Sequence, residues 1–192
     1  ITALKMFLNS FIMATGVALL SVVTSLMAAY ALVYYRTKYA TFLFWLIFIT
    51  ILVPLELRIF PTYSVMAKLN LVNSYFGLIV PISASAIATL FFRQFYKTVP
   101  DELLESAKLD GANTWRFFID FLVPLSRTMI VAMFIFMFVF GYNQYLWPLL
   151  VTSSEQYWTV VMGLKMMSGS IVHRFAFVIM SMVPPILIII VL

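Results

Sequence analysis

Residues 6–35 have the sequence MFLNSFIMATGVALLSVVTSLMAAYALVYY, with no charged residue between Lys5 and Arg36. A helix needs about 20 apolar residues to cross a bilayer core of roughly 30 Å, so this run is long enough to span a membrane. Four further uncharged runs lie at residues 39–55, 69–92, 128–154 and 175–192. The first of these is long enough only if its helix continues past Glu56. The sequence therefore predicts an all-α membrane protein, a polytopic helical bundle with five membrane spans.

The composition of the whole chain indicates the same class. Hydrophobic residues make up 64% of the 192 residues and charged residues only 10%, whereas about 25% are charged in an average soluble domain. The mean hydropathy is +1.06. The sequence has no cysteine and one histidine, which excludes disulfides and thiolate ligands and leaves little imidazole chemistry. The net charge of +5 is scattered, which argues against a nucleic-acid partner.

Charge is concentrated in residues 93–127, which hold 10 of the 19 charged side chains. This stretch alone is long and polar enough to be a structured loop between spans. Thr98 and Asp101 have the spacing of a capping box at a helix start, and Gly111 suits the left-handed position that ends many helices. A second short helix is predicted to begin at Asn113 or the following residue. With alternating spans, the side of this loop carries seven Lys or Arg against five, which favours a cytoplasmic loop.

A spaced motif lies within this loop. It consists of Glu105-Ser106-Ala107-Lys108-Leu109-Asp110-Gly111 and, further on, Val123-Pro124. The motif resembles the EAA loop of binding-protein-dependent ABC importer permeases, whose pattern is Glu-Ala-Ala, three residues, Gly, nine residues and Ile-x-Leu-Pro. The positions that match at the right spacing are Glu105, Ala107, Gly111 and Pro124. Three positions depart from the family pattern, each by exchange of a small residue for a small one or an apolar residue for an apolar one: Ser106, Phe121 and Val123.

The resemblance implies the fold of a type I ABC importer permease (MetI-like). Residues 1–192 would form a permease domain that lacks the first helix and the extreme C-terminus. Residues 97–127 would be its cytoplasmic loop, docked into a cleft of a separate ATPase subunit. The residues implied in that coupling contact are Glu105, Ser106, Ala107, Asp110 and Gly111. Glu105 would face a basic group of the ATPase, and Gly111 would allow the turn between two docking helices. The alternative is a solvated connecting loop.

The energy source and the partners follow from the same resemblance. The sequence contains no Gly-x-x-x-x-Gly-Lys phosphate loop, so the chain is expected to be non-catalytic and to hold no cofactor, with ATP and Mg bound by the partner ATPase. The implied partners are a second homologous permease subunit, two ATP-binding subunits and an extracytoplasmic solute-binding protein. The implied location is the bacterial inner membrane, with the lipid bilayer around the spans.

The substrate class is indicated by three segments. Residues 141–150 resemble a Trp-Asn-Glu-Phe-Leu-like segment of the carbohydrate-uptake branch of this family. Within that branch, the segments are most similar to those of the members that carry sn-glycerol 3-phosphate. The similarity lies in Gln144, which stands in place of Glu, and in residues 54–62 and 92–95. The resemblance implies that the chain translocates sn-glycerol 3-phosphate or a related small polyol or sugar. A permease for a neutral sugar of the maltose type is the alternative.

Two groups of polar residues interrupt the apolar runs and are candidates for the substrate path. Glu56 and Arg58 end the second span and would point about 200° apart on a regular helix, so they are not expected to pair. Either Arg58 lends its guanidinium to an anionic phosphate, or it reaches lipid headgroups while Glu56 is hydrogen-bonded between helices. In the fourth span, Asn143, Gln144 and Tyr145 either line the path or join neighbouring helices by hydrogen bonds.

Two other classes of membrane protein are alternatives. An ion-coupled secondary transporter is expected to carry intramembrane acids and an internal repeat, and the sequence offers only Glu56 and no clear repeat. A membrane-embedded enzyme is expected to show clustered His, Asp, Glu or Cys within its spans, and no such cluster occurs. Both classes are therefore less favoured than the importer permease.

Overall fold

The computed structural model describes residues 3–35, 38–166 and 171–191, and these residues form helices and connections without any strand. The first six helices are α1 (Ala3–Tyr34), α2 (Ala40–Ile49), α3 (Leu55–Lys68), α4 (Tyr75–Ile79), α5 (Ala86–Thr98) and α6 (Asp101–Leu109). The next six are α7 (Thr114–Arg116), α8 (Val123–Leu125), α9 (Arg127–Tyr142), α10 (Leu146–Val151), α11 (Val160–Met166) and α12 (Ile171–Val191). Short 3-10 turns cover Thr50–Leu52, Val80–Ile82 and Glu155–Tyr157. The all-α prediction is confirmed.

The chain divides into two compact units. Unit 1 comprises Ile1–Leu20, Pro54–Ala84 and Phe134–Leu192, and unit 2 comprises Ser21–Val53 and Ser85–Met133. The chain changes unit four times, and each change falls inside one of the first four uncharged runs. Each of those runs therefore contributes residues to both units. The charged loop at residues 93–127 belongs entirely to unit 2.

Membrane-spanning capacity is unevenly distributed among the helices. Of the described helices, α1 is the one that by itself is long and apolar enough to cross a membrane. Three helix pairs, each interrupted by four residues or fewer, pass the same test when each pair is taken together, which raises the number to four. These pairs lie within residues 40–68, 75–98 and 114–142, and Phe177–Val191 of α12 is a shorter apolar helix. Because each uncharged run overlaps one of these five segments, the predicted five spans are compatible with the structure.

The core of unit 1 is built around the first half of α1. Its small residues Ala14 and Ala18 are completely buried, and a Cβ added to Gly141 of α9 would lie only 3.2 Å from the Cα of Ala14. Small side chains thus let these two helices approach closely, as is common in membrane bundles. Trp147 of α10 is buried in the same core, and its indole N–H is shared between the carbonyls of Gly77 and Leu78 at 3.1 and 3.2 Å.

A buried asparagine on α1 holds the irregular segment between α10 and α11. Asn9 is 1% exposed, and its Nδ2 donates to the backbone carbonyls of Gln156 and Trp158 at 2.8 and 2.9 Å. Its Oδ1 accepts a 2.7 Å hydrogen bond from the hydroxyl of Tyr75. On the next residue, the Oγ of Ser10 accepts from the backbone N–H of Val160 at 2.9 Å. Backbone groups that no regular helix satisfies are therefore paired with α1.

The predicted capping box at Thr98 and Asp101 is wrong. Thr98 is the last residue of α5, and its hydroxyl donates to the carbonyl of Phe95 within the same helix at 2.7 Å. Helix α6 begins at Asp101 after Pro100, with no side-chain cap. A residue that precedes proline is disfavoured in the helical region, and Val99 accordingly is extended with φ −74° and ψ 125°. Two helices therefore meet at a proline corner.

The Asn9 contacts generate a stability prediction. The change Asn9→Leu leaves the carbonyls of Gln156 and Trp158 and the hydroxyl of Tyr75 without their partner, so we expect it to lower the free energy of unfolding by about 1–3 kcal/mol. The measurement is the Tm of the purified transporter in detergent. The control is Ser64→Ala on α3, whose exposed hydroxyl bonds only to its own helix. Equal Tm values for the two variants would contradict this account of Asn9.

Candidate functional site

Helix α6 carries the first part of the motif and ends in a geometry that requires glycine. Gly111 has φ +81°, in the left-handed region that side chains disfavour. The backbone N–H of Gly111 donates to the carbonyl of Lys108 at 3.0 Å, and that of Ala112 donates to the carbonyl of Ala107 at 2.9 Å. This pair of bonds is the Schellman motif at a helix C-terminus. The predicted left-handed glycine is confirmed.

The second helix of the loop begins where the sequence predicts. Asn113 is its N-cap, and its Oδ1 accepts from the backbone N–H of Arg116 at 2.8 Å. The helix begins at Thr114 and widens into a π-helical turn over Phe117–Leu122 before Pro124. Pro124 has no N–H and cannot donate to a carbonyl of the preceding turn. The π-helical turn changes the hydrogen-bond register before Pro124, so fewer carbonyls of that turn are left without a donor.

The apolar face of this second helix is fixed to the end of α1. The hydroxyl of Tyr30 donates to the carbonyl of Thr114 at 2.8 Å, and its ring centre lies 4.8 Å from that of Phe118. The ring of Tyr34, one turn further on, lies 5.3 Å from that of Phe117. Phe117 and Phe118 are buried. We call these four aromatic residues, all in unit 2, the tyrosine clamp.

The tyrosine clamp was not anticipated from the sequence. Its signal is the spacing of Tyr30 and Tyr34, which places two phenol rings on one face of α1, just before the charged connection. Spacing alone shows that the two rings share a face. It does not show which residues, some 80 positions later, they meet.

The motif residues divide into one buried and several exposed positions. Ala107 is 1% exposed, which explains the requirement for a small residue there. Glu105, Ser106, Asp110 and Gly111 are exposed, and Glu105 forms no ion pair with another described residue. Exposed apolar side chains flank them: Leu109 is 89% and Trp115 57% exposed. A carboxylate beside exposed apolar groups is suited to contact with another protein.

The first group of substrate-path candidates lies at the start of α3. Glu56 and Arg58 follow Pro54 in the first turn of that helix, and both are exposed. Neither side chain forms an ion pair with another residue that the structure describes. The two therefore do not pair with each other, as their two-residue spacing predicts. The hydroxyl of Thr62 donates to the carbonyl of Arg58 at 2.7 Å within α3.

The second group is not inside a span helix, which corrects that prediction. Asn143, Gln144 and Tyr145 occupy the break between α9 and α10. The amide of Asn143 donates back to the carbonyl of Val139 at 2.9 Å, which covers the C-terminus of α9. The break is an irregular connection at the helix end, because α10 turns to pack against α3 and α4. Both candidate groups belong to unit 1.

No group of three or more His, Asp or Glu side chains that could hold a metal ion occurs among the described residues. The described part of the chain is instead an assembly of apolar helices with one exposed, capped helix pair. These features are those of a helical integral membrane protein, and the motif on its exposed helix pair is the one expected of an importer permease.

The comparisons with known proteins identify the family. The family described as "Binding-protein-dependent transport system inner membrane component" matches residues 21–192, and the chain belongs to this family. It is therefore an inner-membrane component of an ABC importer and one subunit of a larger transporter complex. The predicted family, fold and location are confirmed.

Individual proteins and one solved structure are also similar to this chain. The chain is 46% identical over 190 residues to the sn-glycerol-3-phosphate transport system permease protein UgpE of Yersinia pestis bv. Antiqua (strain Antiqua), an alignment that covers 96% of this chain and 68% of that protein. It is 45% identical, with the same coverage, to the protein of that name from Pectobacterium atrosepticum. A crystal structure of a bacterial ABC transporter involved in the import of the acidic polysaccharide alginate matches with a TM-score of 0.86. That match covers 97% of this chain and 72% of the other at 18% identity, which shows a shared fold.

The turn at Gly111 generates a prediction about the loop. A Cβ at this position would meet no atom within 4 Å, so Gly111→Ala is strained by its backbone alone, by about 1–2 kcal/mol. We expect faster tryptic cleavage after Lys108 in Gly111→Ala than in the parent, and an intermediate rate in Gly111→Asn, since Asn tolerates positive φ. Identical cleavage rates in all three proteins would show that the corner is not held by this glycine.

Proposed function

We propose that this chain is a membrane-spanning permease subunit of an ATP-driven importer for sn-glycerol 3-phosphate. The supporting observation is 46% identity over 96% of the chain to a permease named for sn-glycerol-3-phosphate transport. The segments that point to this substrate, residues 54–62, 92–95 and 141–150, lie in three separate places rather than in one motif.

The partners follow from the proposed transport system. A second homologous permease subunit completes the pore, two ATP-binding subunits dock on the cytoplasmic side, and an extracytoplasmic solute-binding protein delivers the solute. ATP and Mg are bound by the ATP-binding subunits, and this chain performs no bond chemistry. The sequence supports this division of labour, because it has no phosphate loop of its own.

The docking loop in this proposal is residues 97–127. The exposed Glu105, Ser106, Asp110 and Gly111 meet the ATPase, and the buried Ala107 holds α6 in place. A displacement of this corner passes through α7 into the tyrosine clamp, whose packed rings resist deformation. Tyr30 and Tyr34 of the clamp lie on α1, so the displacement enters a membrane-spanning helix as a rigid-body movement.

The substrate path in this proposal uses unit 1. The planar guanidinium of Arg58 presents parallel donors that suit a phosphate, with Glu56 on the same turn of α3. The side chains of Asn143, Gln144 and Tyr145 offer amides and a hydroxyl to the glycerol hydroxyls. The exposure of Glu56 and Arg58 supports this role, since groups that meet a passing solute are not consumed by internal ion pairs.

The substrate is tested by ATP hydrolysis of the intact importer in lipid, with all subunits and the cognate solute-binding protein present. We expect saturating sn-glycerol 3-phosphate to stimulate hydrolysis and maltose to have no effect. Stimulation by maltose alone would agree with an ATP-driven importer but would contradict the proposal that Arg58 binds a phosphate. Uptake that continues without ATP and follows a proton or sodium gradient would instead favour an ion-coupled transporter.

The coupling contact is tested with two carboxylates of one helix. We expect Glu105→Gln to lower solute uptake by about tenfold or more, since loss of a charged partner at an interface typically costs at least ~1.4 kcal/mol. Glu102→Gln is the matched control, because Glu102 is exposed on the same helix one turn earlier. The measurement is uptake into vesicles at equal amounts of assembled complex. An equal effect of the two changes would contradict a specific role for Glu105.

A further inference from the structure

Arg93 on α5 is held against an aromatic ring of α2. Its Cζ lies 3.8 Å from the ring centre of Phe44, the geometry of a cation–π contact. The ring of Phe44 in turn lies 5.7 Å from that of Trp45 and 6.0 Å from that of Phe48. All four residues belong to unit 2. The cation of Arg93 is therefore held against a group of aromatic rings on α2.

The charge of Arg93 is not matched by an anion in the described chain. Arg93 forms no ion pair and no hydrogen bond with another described residue, and its Nε is buried without an acceptor. A guanidinium has five N–H donors, and a buried donor without an acceptor costs free energy. Lys97, one turn further along α5, is exposed and adds positive charge. No described residue supplies an acceptor to the two terminal nitrogens, which leaves them available to a molecule outside the chain.

The position of Arg93 on its helix defines what can reach it. Arg93 lies five residues before the end of α5 at Thr98, which corresponds to about 8 Å along the helix axis. Helix α6 follows at Asp101. Arg93 is partly buried, and of its guanidinium nitrogens only Nε is enclosed, so the two terminal nitrogens can be reached from outside the chain near the end of α5.

We propose that Arg93, oriented by Phe44, binds a phosphate group. A guanidinium donates two parallel N–H bonds to phosphate oxygens, and stacking on Phe44 leaves the edge of the guanidinium free to do so. The phosphate has two possible sources near the end of an apolar helix, the phosphomonoester of a transported solute and the headgroup of a phospholipid. The solute source rests on the proposed function, whereas the phospholipid source does not.

The test uses the intact importer with its solute-binding protein and four variants of this chain. Arg93→Gln removes the charge, Arg93→Lys keeps the charge without the paired donors, and Phe44→Leu keeps the guanidinium without its ring. Lys38→Gln is the control, because it removes an exposed charge from the same unit. Two quantities are measured for each variant: uptake of sn-glycerol 3-phosphate per assembled complex, and phospholipid retained per purified complex.

A solute phosphate site is indicated if Arg93→Gln lowers uptake about tenfold and leaves the retained phospholipid unchanged. The uptake of Arg93→Lys and of Phe44→Leu should then lie between that of the parent and that of Arg93→Gln, as expected for a paired donor geometry. A phospholipid site is indicated if Arg93→Gln loses one retained phospholipid per complex. In both cases Lys38→Gln matches the parent. Parental uptake and parental phospholipid content in Arg93→Gln would overturn the proposal and leave Arg93 as a packing residue.

Two further outcomes can be told apart. If Arg93→Gln does not assemble, the proposal is tested with Arg93→Lys, because this variant keeps a cation on the ring. A fall of at least about threefold in its uptake, or the loss of a phospholipid, supports the paired donor, and no change overturns the proposal. If the parent does not import sn-glycerol 3-phosphate at all, the proposed function fails, and the phospholipid count alone decides the role of Arg93.

Discussion

The structure depends on one constraint: inside a bilayer every backbone N–H and C=O must find a partner within the protein. Long helices satisfy it directly, and α1 does so over 32 residues. Elsewhere the helices are interrupted, and between α10 and α11 a side chain of α1 supplies missing partners. Asn9 serves the carbonyls of Gln156 and Trp158, and Tyr30 adds a hydrogen bond to the carbonyl of Thr114. Helix α1, the one described helix that can cross a membrane by itself, thus also fixes parts of the chain that follow much later.

This arrangement ties the loop that carries the Glu105 motif to α1. The corner at Gly111 is closed by two backbone hydrogen bonds, and the helix after it is held by aromatic contacts with Tyr30 and Tyr34. Neither contact is strong alone, since aromatic pairs contribute about 0.5–1.5 kcal/mol beyond their buried area. Together they join the second helix of the loop to α1, and the coupling proposed above depends on such a connection.

Much of the fold and part of the candidate site could be predicted from local pattern. The glycine at 111 and the cap at Asn113 depend on a few consecutive residues, and both were predicted correctly. The capping box at Thr98 failed because Pro100 acts on the backbone of Val99. The prediction that Asn143 lies within a span is wrong, because a run of uncharged residues shows that a segment is apolar but not where its helical hydrogen bonds end.

The sequence by itself determined the class of the protein, since charge spacing and apolar length follow from the cost of placing ions in lipid. It also determined the family, because the motif from Glu105 to Pro124 is a set of fixed spacings. Only the tertiary structure decided that Ala107 is buried while Glu105 is exposed, that Tyr30 and Tyr34 hold the loop, and that Phe44 orients Arg93. These facts depend on which distant segments come into contact. The spacing of apolar residues in one helix shows which face of that helix is packed, but not which other helix it packs against.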